Sequence, residues 1–532
     1  DGGSTYATAN IAQFGSGNVA VNDQTNVDPT SANILQLGSG NIGLNTQTNV
    51  VDSDAGIIQY GNGAVQNFAT NTQTDVSGST ALILQGNDGG TANGALNLQN
   101  DVTGATALIA QFGSGNVGIN AQGYGSSDVA AGIVQVGDNN QAYNTQGNSQ
   151  TVTLGLPDGH LKIGNAKQNF FFGASNYWEY GVEWAGAGLT GTDDAPAQSS
   201  IAAIVQNGDG NFAANSQVGK VIIPDNLTAH VATTSLYVKK TSDGSPAPSN
   251  IVNLVNGVAG SGLNALAVGG LQAVGDVLPQ VVVPTIASGA FIVQDGDGNF
   301  AGNGQTGAAG ALAGIVQLGD ENFATNTQEL ELGVVSAKVQ DGNNNFAATK
   351  QEAAVLSAAG TIQKGNGNAA FTTQAGNLDL TGVDSLDDLA GLQVASADLS
   401  LTAQIGNGNW AVTSQGGSNN KAGTVQSGNS NAAITVQTGA SSASLIVQAA
   451  SHSGAVVNQS GSSHNSGVIQ AGQYSYALVN QIGSSNNSLI LQNGTGANAG
   501  EGNFASVSQG NSGQNSLVIQ SGHSNFAAVV QN

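Results

Sequence analysis

Apolar and polar residues alternate along this chain in short runs. In Ala32-Asn33-Ile34-Leu35-Gln36, the first, third and fifth residues share one face if the segment is extended, because side chains alternate along a strand. Gly38-Ser39-Gly40 follows and predicts a turn, since Gly tolerates positive φ. A second alternating run, Asn41 to Gln47, predicts a second strand. Each unit therefore consists of strand, turn, strand and turn.

The units share a fixed pattern of residues. A Gln is followed by Gly two residues later, Asn five later, a small residue seven later and a second Gln eleven later. The usual spacing between units is 22 or 23 residues, and such a period is typical of a solenoid. The first Gln occurs in seventeen units, at Gln13, Gln36, Gln59, Gln85, Gln111, Gln135, Gln206, Gln294, Gln317, Gln340, Gln363, Gln404, Gln426, Gln448, Gln470, Gln492 and Gln520.

Two positions change identity together, which indicates that they face each other. The residue four before the first Gln and the residue two before the second Gln are Ala and Asn in the first nine units, as in Ala9 and Asn22. The second member is then Thr in four units, and the last four units have Ser with Val, as in Ser516 and Val529. We predict an all-β fold, a β-solenoid of about 17 stacked β-arches. Recent duplication of groups of units would also give neighbouring units the same residues at these positions. Stacking and duplication both predict a tandem array.

Amide side chains are the candidate structural sites. A buried amide needs hydrogen-bond partners, and stacking gives it the same residue in the layers above and below. A polar binding row is the alternative interpretation. The predicted ladders include Gln13, Asn18, Gln24, Gln36, Asn41, Gln47, Gln111, Asn116, Gln122, Gln317, Asn322, Gln328, Gln404, Asn409, Gln415, Gln520, Asn525 and Gln531.

Three insertions interrupt the array and contain seven of the eight prolines. Proline cannot donate to a ladder, so its exclusion from the units supports hydrogen-bonded strands there. The predicted organisation is a tail at 1–8, units 1–6 at 9–146, an insertion at 147–198, unit 7 at 199–217, an insertion at 218–288 with a degenerate layer at 251–265, units 8–11 at 289–374, an insertion at 375–400, and units 12–17 at 401–532.

Charge and composition narrow the class of protein. Only 8% of residues are charged and the net charge is −24, which argues against nucleic-acid binding. No apolar run is long enough to span a bilayer. Cys and Met are both absent, which suits prolonged extracellular exposure because they are the main oxidation sites, although compositional bias is the alternative. Asp1-Gly2-Gly3-Ser4 is typical of a mature end left after processing.

The pattern Gln-x-Gly-x-Gly-Asn-x-Ala-x3-Gln resembles the curlin repeat of the curli fibre subunit. The segments Gln13–Gln24, Gln363–Gln374 and Gln404–Gln415 carry it in full. The resemblance implies a secreted amyloid subunit of a Gram-negative biofilm matrix, located in a cell-surface fibre. It also implies a nucleator subunit, an outer-membrane export channel and a chaperone as partners. Matrix polysaccharide is a further candidate partner. The insertions depart from the family's pattern.

No catalytic or cofactor site is predicted. The five His lack metal-ligand spacing, and no nucleophile motif or phosphate loop occurs, so we expect neither enzyme activity, cofactor nor metal. Asp295-Gly296-Asp297-Gly298-Asn299 resembles the start of a calcium loop, but Phe300 and Thr306 stand where an EF-hand needs Gly and Glu. We predict instead that Asp209, Asp297, Asp320 and Asp341 are turn residues.

The residue after the motif Asn points outward and is often aromatic. Stacked layers would place these rings in a stripe, and exposed apolar stripes often mark interfaces. We expect insertions or neighbouring filaments to cover the rings, and scattered surface aromatics are the alternative. The predicted stripe contains Phe212, Phe300, Phe323, Phe346 and Trp410.

The predicted function is self-assembly. We expect the Gln520–Gln531 layer of one subunit to stack on the Gln13–Gln24 layer of the next, which places Val529 near Asn22. One alternative is a calcium-binding β-roll adhesin, although its Gly-Gly-x-Gly-x-Asp series is absent. Another is an ice-binding solenoid with a short Thr row. A polysaccharide-degrading solenoid is weaker, because no carboxylates cluster at one repeat position.

Overall fold

A computed structural model describes residues 6–61, 66–87, 89–156, 159–169, 175–225, 227–240, 280–375, 395–494, 498 and 501–532. The regular structure of these residues is entirely β-strand. Thirty-six of the strands form a solenoid of parallel stacked layers, so the predicted all-β solenoid is confirmed, and the other strands form two smaller sheets.

The strands divide into four consecutive groups. The first ten are β1 (Ala7–Phe14), β2 (Val19–Gly38), β3 (Ile42–Gly61), β4 (Phe68–Ser77), β5 (Thr80–Asn87), β6 (Gly94–Thr103), β7 (Thr106–Phe112), β8 (Val117–Ser127), β9 (Ala130–Val136) and β10 (Gln141–Gln146). The next ten are β11 (Asn148–Leu156), β12 (Gly159–Asn169), β13 (Ser175–Ala195), β14 (Ala197–Gln198), β15 (Ile201–Asn207), β16 (Phe212–Val218), β17 (Lys220–Ile223), β18 (Thr228–Lys240), β19 (Val281–Val283) and β20 (Thr285–Ile286).

The remaining strands follow in chain order. The third group is β21 (Gly289–Asp295), β22 (Phe300–Thr306), β23 (Leu312–Leu318), β24 (Phe323–Glu329), β25 (Val335–Asp341), β26 (Phe346–Glu352), β27 (Ala354–Val355), β28 (Ala358–Lys364), β29 (Ala369–Ala375), β30 (Ala395–Ser396), β31 (Leu399–Ile405) and β32 (Trp410–Ser418). The fourth group is β33 (Lys421–Ser427), β34 (Ala432–Ala440), β35 (Ala443–Gln448), β36 (Gly454–Ser462), β37 (Asn465–Gln470), β38 (Tyr476–Ser484), β39 (Asn487–Asn493), β40 (Phe504–Gln509), β41 (Asn515–Ser521) and β42 (Phe526–Gln531).

The chain divides into two units. The first unit contains Asp1–Asn148, Pro196–Gly219 and Pro284–Asn532, and the second contains Ser149–Ala195 and Lys220–Val283. In the second unit β13 pairs antiparallel with β12 and β18, and β17 pairs antiparallel with β19. The predicted insertions 147–198 and 218–288 correspond closely to this unit. The predicted layer 251–265 and most of the insertion 375–400 lie outside the described residues.

The first unit is a stack of arches. Each layer contributes a first strand, which carries the first Gln, and a second strand, which carries the second Gln. First strands pair in parallel and in register, so that Gln13 lies beside Gln36. The register continues across the insertions, since Gln135 pairs with Gln206 and Gln206 pairs with Gln294. Seventeen such layers occur in the described residues of this unit. Where an insertion interrupts the units, the chain returns to the stack at the next layer.

The two strands of a layer face each other across a thin core. A Cβ added to Gly43 would lie 3.2 Å from Ile34 Cγ2, so the large residue of the first strand packs closely against a position that holds only Gly or Ala in every layer. Asn45 Nδ2 donates to the carbonyl of Asn33 at 3.2 Å across the same core. These contacts establish the predicted arch, and pairing large with small residues fills the core without voids.

The core changes character along the stack. An Ile cluster runs through the first nine layers, and an Ile and Val cluster occupies the last layers. Between them, a buried Thr lies two residues before each Gln, as in Thr361 and Thr372 or Thr402 and Thr413. Lys338 replaces the Ile at the start of this polar block and is 1% exposed. Its Nζ contacts Asn326 Oδ1, and burial lowers the pKa of this ammonium well below its ordinary value.

Glycine stands two residues after the first Gln in fifteen of the seventeen layers, and at Gly15 the stacking itself requires it. Gly15 has φ of 122°, in the region that favours glycine. A Cβ there would lie 1.7 Å from the carbonyl oxygen of Gly38, the equivalent residue of the next layer. The backbones of neighbouring layers thus approach too closely at this turn for a side chain.

A buried carboxyl interrupts the corner between β24 and β25. Glu331 occupies the place that Ala308 and Ala354 hold in the neighbouring layers, and only 4% of it is exposed. Burial raises the pKa of this carboxyl to about 9, and the charges of Glu329 and Glu352 act in the same direction. A backbone hydrogen bond from Glu329 partly opposes the shift.

Glu331→Gln is expected to stabilise the stack at neutral and alkaline pH. The folded state keeps the proton up to a pKa of about 9, whereas the unfolded chain releases it near 4.5, so stability falls as the pH rises between these values. At about 1.4 kcal/mol per pH unit, the variant should gain a few kcal/mol at pH 8 and nothing at pH 4. Guanidinium denaturation at both pH values measures the gain. The exposed Glu321→Gln is the control, and an equal gain at both pH values would contradict the assignment.

Lys338→Ile is expected to stabilise the stack most at low pH. Because the folded state disfavours the charged ammonium, wild-type stability rises with pH until the unfolded pKa of 10.5 is reached. The advantage of the variant should therefore shrink between pH 6 and pH 10. Denaturation midpoints across this interval test the prediction. Lys350→Ile, in the same layer but on the surface, is the matched control, and an advantage independent of pH would refute the electrostatic cause.

Candidate functional site: amide ladders and the faces of the stack

The first Gln of every layer joins one continuous ladder. Each Nε2 donates to the Oε1 of the equivalent Gln in the following layer at 2.7 to 2.9 Å, from Gln13 to Gln520. The other Nε2 proton reaches the second strand, as in Gln36 to the carbonyl of Val19 at 2.9 Å. Ladder members that the sequence analysis named are Gln36, Gln111, Gln317 and Gln404.

The second Gln forms a parallel ladder of its own. Its Nε2 donates to the next Oε1 at 2.7 to 3.0 Å from Gln24 through Gln531, without interruption. The named members Gln47, Gln122, Gln328 and Gln415 all lie in it. The stacked amides are buried between the end layers, which is how so many polar groups are accommodated in a thin core.

The motif Asn closes the turn between the two strands. Its Oδ1 accepts the backbone N–H of the Asn in the following layer, as in Asn41 N to Asn18 Oδ1 at 3.0 Å. Its Nδ2 donates to the Gly carbonyl of the following layer, as in Asn116 to Gly137 at 2.7 Å. Asn322, Asn409 and Asn525 make the same backbone contact with the preceding Asn.

These ladders are directional. Every Gln in both ladders donates toward the C-terminal end of the stack, and the motif Asn accepts a backbone N–H from that side. The first layer therefore presents the Oε1 atoms of Gln13 and Gln24 at its outer side. The last layer presents the Nε2 atoms of Gln520 and Gln531, whose other protons reach the carbonyls of Phe504 and Asn515 at 2.8 and 3.0 Å. The two ends are complementary in hydrogen bonding.

A second Asn ladder was missed in the sequence analysis. The Asn two residues before the second Gln donates to the same position of the preceding layer, as in Asn45 Nδ2 to Asn22 Oδ1 at 3.0 Å. The ladder ends at Asn326, whose Oδ1 accepts from Ser336 Oγ at 2.5 Å and contacts Lys338 Nζ. Nine consecutive Asn at one motif position are the signal in the sequence that indicates this ladder.

The expected junction residue Asn22 is already satisfied within the subunit. Its Nδ2 donates to the carbonyls of Asn10 and Ala32 at 3.1 and 2.9 Å. Packing Val529 of another subunit against it would therefore not remove a hydrogen-bond partner. The mismatch between Val529 and Asn22 is one of shape and polarity, and it costs less than a stranded amide would.

The end layers expose side chains that interior layers bury. Ile11 in the first layer is 48% exposed, whereas the equivalent Ile34 in the second layer is 2% exposed. At the other end, Val529 is only partly buried, whereas Val507 in the layer before it is fully buried. Covering each end with one further layer would bury these groups.

The aromatic stripe is a stack of four rings. Phe212, Phe300, Phe323 and Phe346 have centroids 4.7 to 4.8 Å apart and planes within 6° of parallel. Trp410 does not join them, because Ala369 occupies the layer between Phe346 and Trp410. Trp410 therefore lies in the predicted column of outward residues but outside the stack of rings. The rings stack on each other and offer mainly their edges to other molecules.

The acidic residues form a turn column. Asp209 N donates to Asp297 Oδ1 at 2.8 Å, and Asp297 N donates to Asp320 Oδ1 at 3.0 Å. Asp341 is different, because it ends β25 and its Oδ2 lies 3.4 Å from Lys364 Nζ. Among the described residues, no group of three or more His, Cys, Asp or Glu could hold a metal ion.

No protein-family model matches this chain, and no curated protein matches it either. Among the described residues, no helix is long and apolar enough to cross a membrane.

Gln294→Leu is expected to weaken the stack around the eighth layer. The change leaves the Nε2 of Gln206 and the Oε1 of Gln317 without their ladder partners, each at 2.9 Å in the wild type. Leaving these two polar groups without partners should lower the free energy of unfolding by about 2–4 kcal/mol. Denaturation measures this loss, and faster amide exchange in β21 is a second readout. Gln141→Leu, at an exposed position of the sixth layer, is the control. Equal stability of the two variants would show that the ladder contributes little.

Proposed function

We propose that this chain is a secreted structural subunit that polymerises head to tail by β-strand stacking into an extracellular, curli-like amyloid fibre. In a biofilm matrix the fibre supplies adhesion and cohesion. The observation that carries the proposal is the direction of the amide ladders, which leaves acceptors at one end of the stack and donors at the other.

The joint between subunits repeats the contacts between layers. Gln520 and Gln531 donate to Gln13 and Gln24 of the next subunit, in the same geometry as the interior ladders. The backbone N–H of Asn18 meets Asn525 Oδ1 of the other subunit, as Asn41 meets Asn18 within the chain. Unpaired strand edges favour the addition of a further strand. Because the two surfaces differ, growth continues as an open filament.

Head-to-head joining is disfavoured by the same ladders. Two first layers would bring Oε1 against Oε1, and two last layers would bring Nε2 against Nε2. Such pairs repel, and each would remain without a partner in a dehydrated joint. The polarity of the chain is therefore carried into the filament, and every subunit points in one direction.

The resemblance to the curlin repeat supports a matrix fibre over other assemblies. Under this proposal the chain acts without catalysis, and its partners are a nucleator, an outer-membrane export channel, a chaperone and matrix polysaccharide. The ice-binding alternative has little support, because Thr46 stacks on Thr72 while Asp23 and Leu98 occupy the neighbouring layers of that column. The calcium-binding alternative has only the acidic turn column in its favour.

Ile519→Pro combined with Ala528→Pro is expected to abolish fibre growth and leave the subunit folded. Outward residues donate their N–H to the following layer, as in Phe504 N to Asn525 O at 2.8 Å. In the last layer this direction leads out of the subunit, so proline removes no internal hydrogen bond there. It instead removes two donors from the joint and places a ring in the contact surface.

Electron microscopy and sedimentation of the purified chains test this prediction. The wild type should form fibres with a diffraction spacing near 4.8 Å, and the double proline variant should stay small with a wild-type circular dichroism spectrum. Ile519→Val with Ala528→Ser is the control, because it keeps both N–H groups and should polymerise. Fibres from the proline variant, or a wild type that remains monomeric at micromolar concentration for days, would contradict the proposal.

A further inference from the structure

One column of outward side chains is aliphatic in all seventeen layers of the described stack. It is formed by the residue immediately before the first Gln, which is Ala, Leu, Ile or Val from Ala12 to Ile519. Several members are well exposed, including Val205 at 41% and Ile362 at 49%. The alternation of the strand directs this column away from the core, so packing inside the subunit does not explain its composition.

A second column lies beside the first, three residues before the first Gln. From the third layer onward it holds only Gly, Ala, Leu or Phe, and neither column contains a charged residue. Leu and Gly alternate toward the C-terminal end. A Cβ added to Gly423 would meet Leu445 Cδ1 at 3.0 Å, and one added to Gly467 would meet Leu489 Cδ1 at 2.9 Å. The result is a ridged surface. A groove of about 660 Å³ lies between this second column and the column five residues before the first Gln, which includes Lys421.

The two columns together form what we call the apolar band. Seventeen layers at about 4.8 Å give it a length of about 80 Å, and two adjacent columns give a width of about 10 Å. Its area is therefore about 800 Å² per subunit, beyond the largest apolar patch of about 300–600 Å² on a typical monomer. It also equals the surface that each partner contributes to a standard stable interface, about 800 Å².

We propose that the apolar band docks on the apolar band of a second copy of this chain, so that two stacks pair side by side. A partner must match ridges about 4.8 Å apart over the whole band, and a stack of the same layers has that repeat. A twofold interface brings the same surface patch of both copies together, so the band of one copy would contact the band of the other. The net charge of −24 opposes association, but none of it lies in the two columns.

The opposite sheet face differs in character. Its equivalent column, immediately before the second Gln, contains exposed polar residues such as Thr327, Thr373 and Asn458, and also Lys350. The next column of that face, three residues before the second Gln, is largely apolar, as at Ile434. The contrast therefore lies in the column beside the second Gln, and we assign the pairing to the face on which both columns lack charged residues. The inference goes beyond end-to-end growth, because a single subunit carries the complete band and pairing needs no filament.

The test uses the full chain with Ile519→Pro and Ala528→Pro, so that end-to-end growth does not obscure pairing. Analytical ultracentrifugation at micromolar concentration should show a dimer, strengthened by added salt because salt screens the repulsion between negative subunits. Adding Val293→Lys, Ile362→Lys and Ile469→Lys to this chain should shift it to monomer and raise the dissociation constant at least tenfold. These positions are 38%, 49% and 40% exposed, so the fold should tolerate the change.

The matched control adds three lysines to the opposite face as Thr327→Lys, Thr373→Lys and Asn458→Lys. It changes the net charge equally and should leave the dimer intact. A monomeric parent chain in high salt, or equal loss of dimer in both lysine variants, would overturn the proposal. Binding of the parent chain to phosphatidylcholine vesicles in place of dimerisation would also overturn it, since lipid would then be the occupant. Fibre formation by the wild type is scored separately, so failure of either proposal is recognised independently.

Discussion

In-register parallel stacking is the constraint on which the rest of this structure depends. When Gln13 lies beside Gln36, and Gln36 beside Gln59, each motif position meets only itself along the stack. A buried amide is then tolerated, because its donor and acceptor are matched by the same amide in the adjacent layers. The same constraint demands Gly where neighbouring turns approach, as at Gly15 and Gly38, since a Cβ would collide with the carbonyl of the next layer. Each position of the motif therefore holds a residue that can pack against the same residue in the next layer.

Within that constraint the interior varies in blocks. The Ile core and its Asn ladder continue through the ninth layer, a Thr core follows, and an Ile and Val core completes the stack. Lys338 and Glu331 lie near the first of these boundaries and are the buried groups that fit their surroundings least. Burial lowers the pKa of Lys338 and raises the pKa of Glu331, so the uncharged form of each is favoured. Lys338 donates to Asn326, where the Asn ladder ends. The change of core therefore coincides with two polar residues that are costly to bury in their charged forms.

The direction of the Gln ladders is the property of this fold on which the proposed assembly rests. Backbone ladders alone would give two ends with unpaired strand edges, whereas the Gln ladders make those ends different from each other. The side chains exposed at the ends, such as Ile11, are the ones that interior layers bury. The apolar band adds a second contact surface. It runs along the side of the stack, whereas the end layers make contact in the stacking direction. In the proposed assembly a subunit extends through its ends and pairs through its side. The end contact uses backbone and amide groups, and the side contact uses outward aliphatic side chains, with Ile519 contributing to both.

The sequence by itself determined the layers, because a repeat that must stack on itself leaves a period that is visible without coordinates. The strand, turn and strand order, the arch pairing of Ile34 with Gly43 and the amide ladders at Gln13, Asn18 and Gln24 all follow from that period. Only the tertiary structure decided which way each amide points, that the nine Asn form a ladder running opposite to the Gln, and that Ala369 separates Trp410 from the stacked rings. It also decided that Lys338 is buried and that Asp341 belongs to a strand. These features depend on contacts between layers, and a single repeat contains no information about the orientation of its neighbour's side chain.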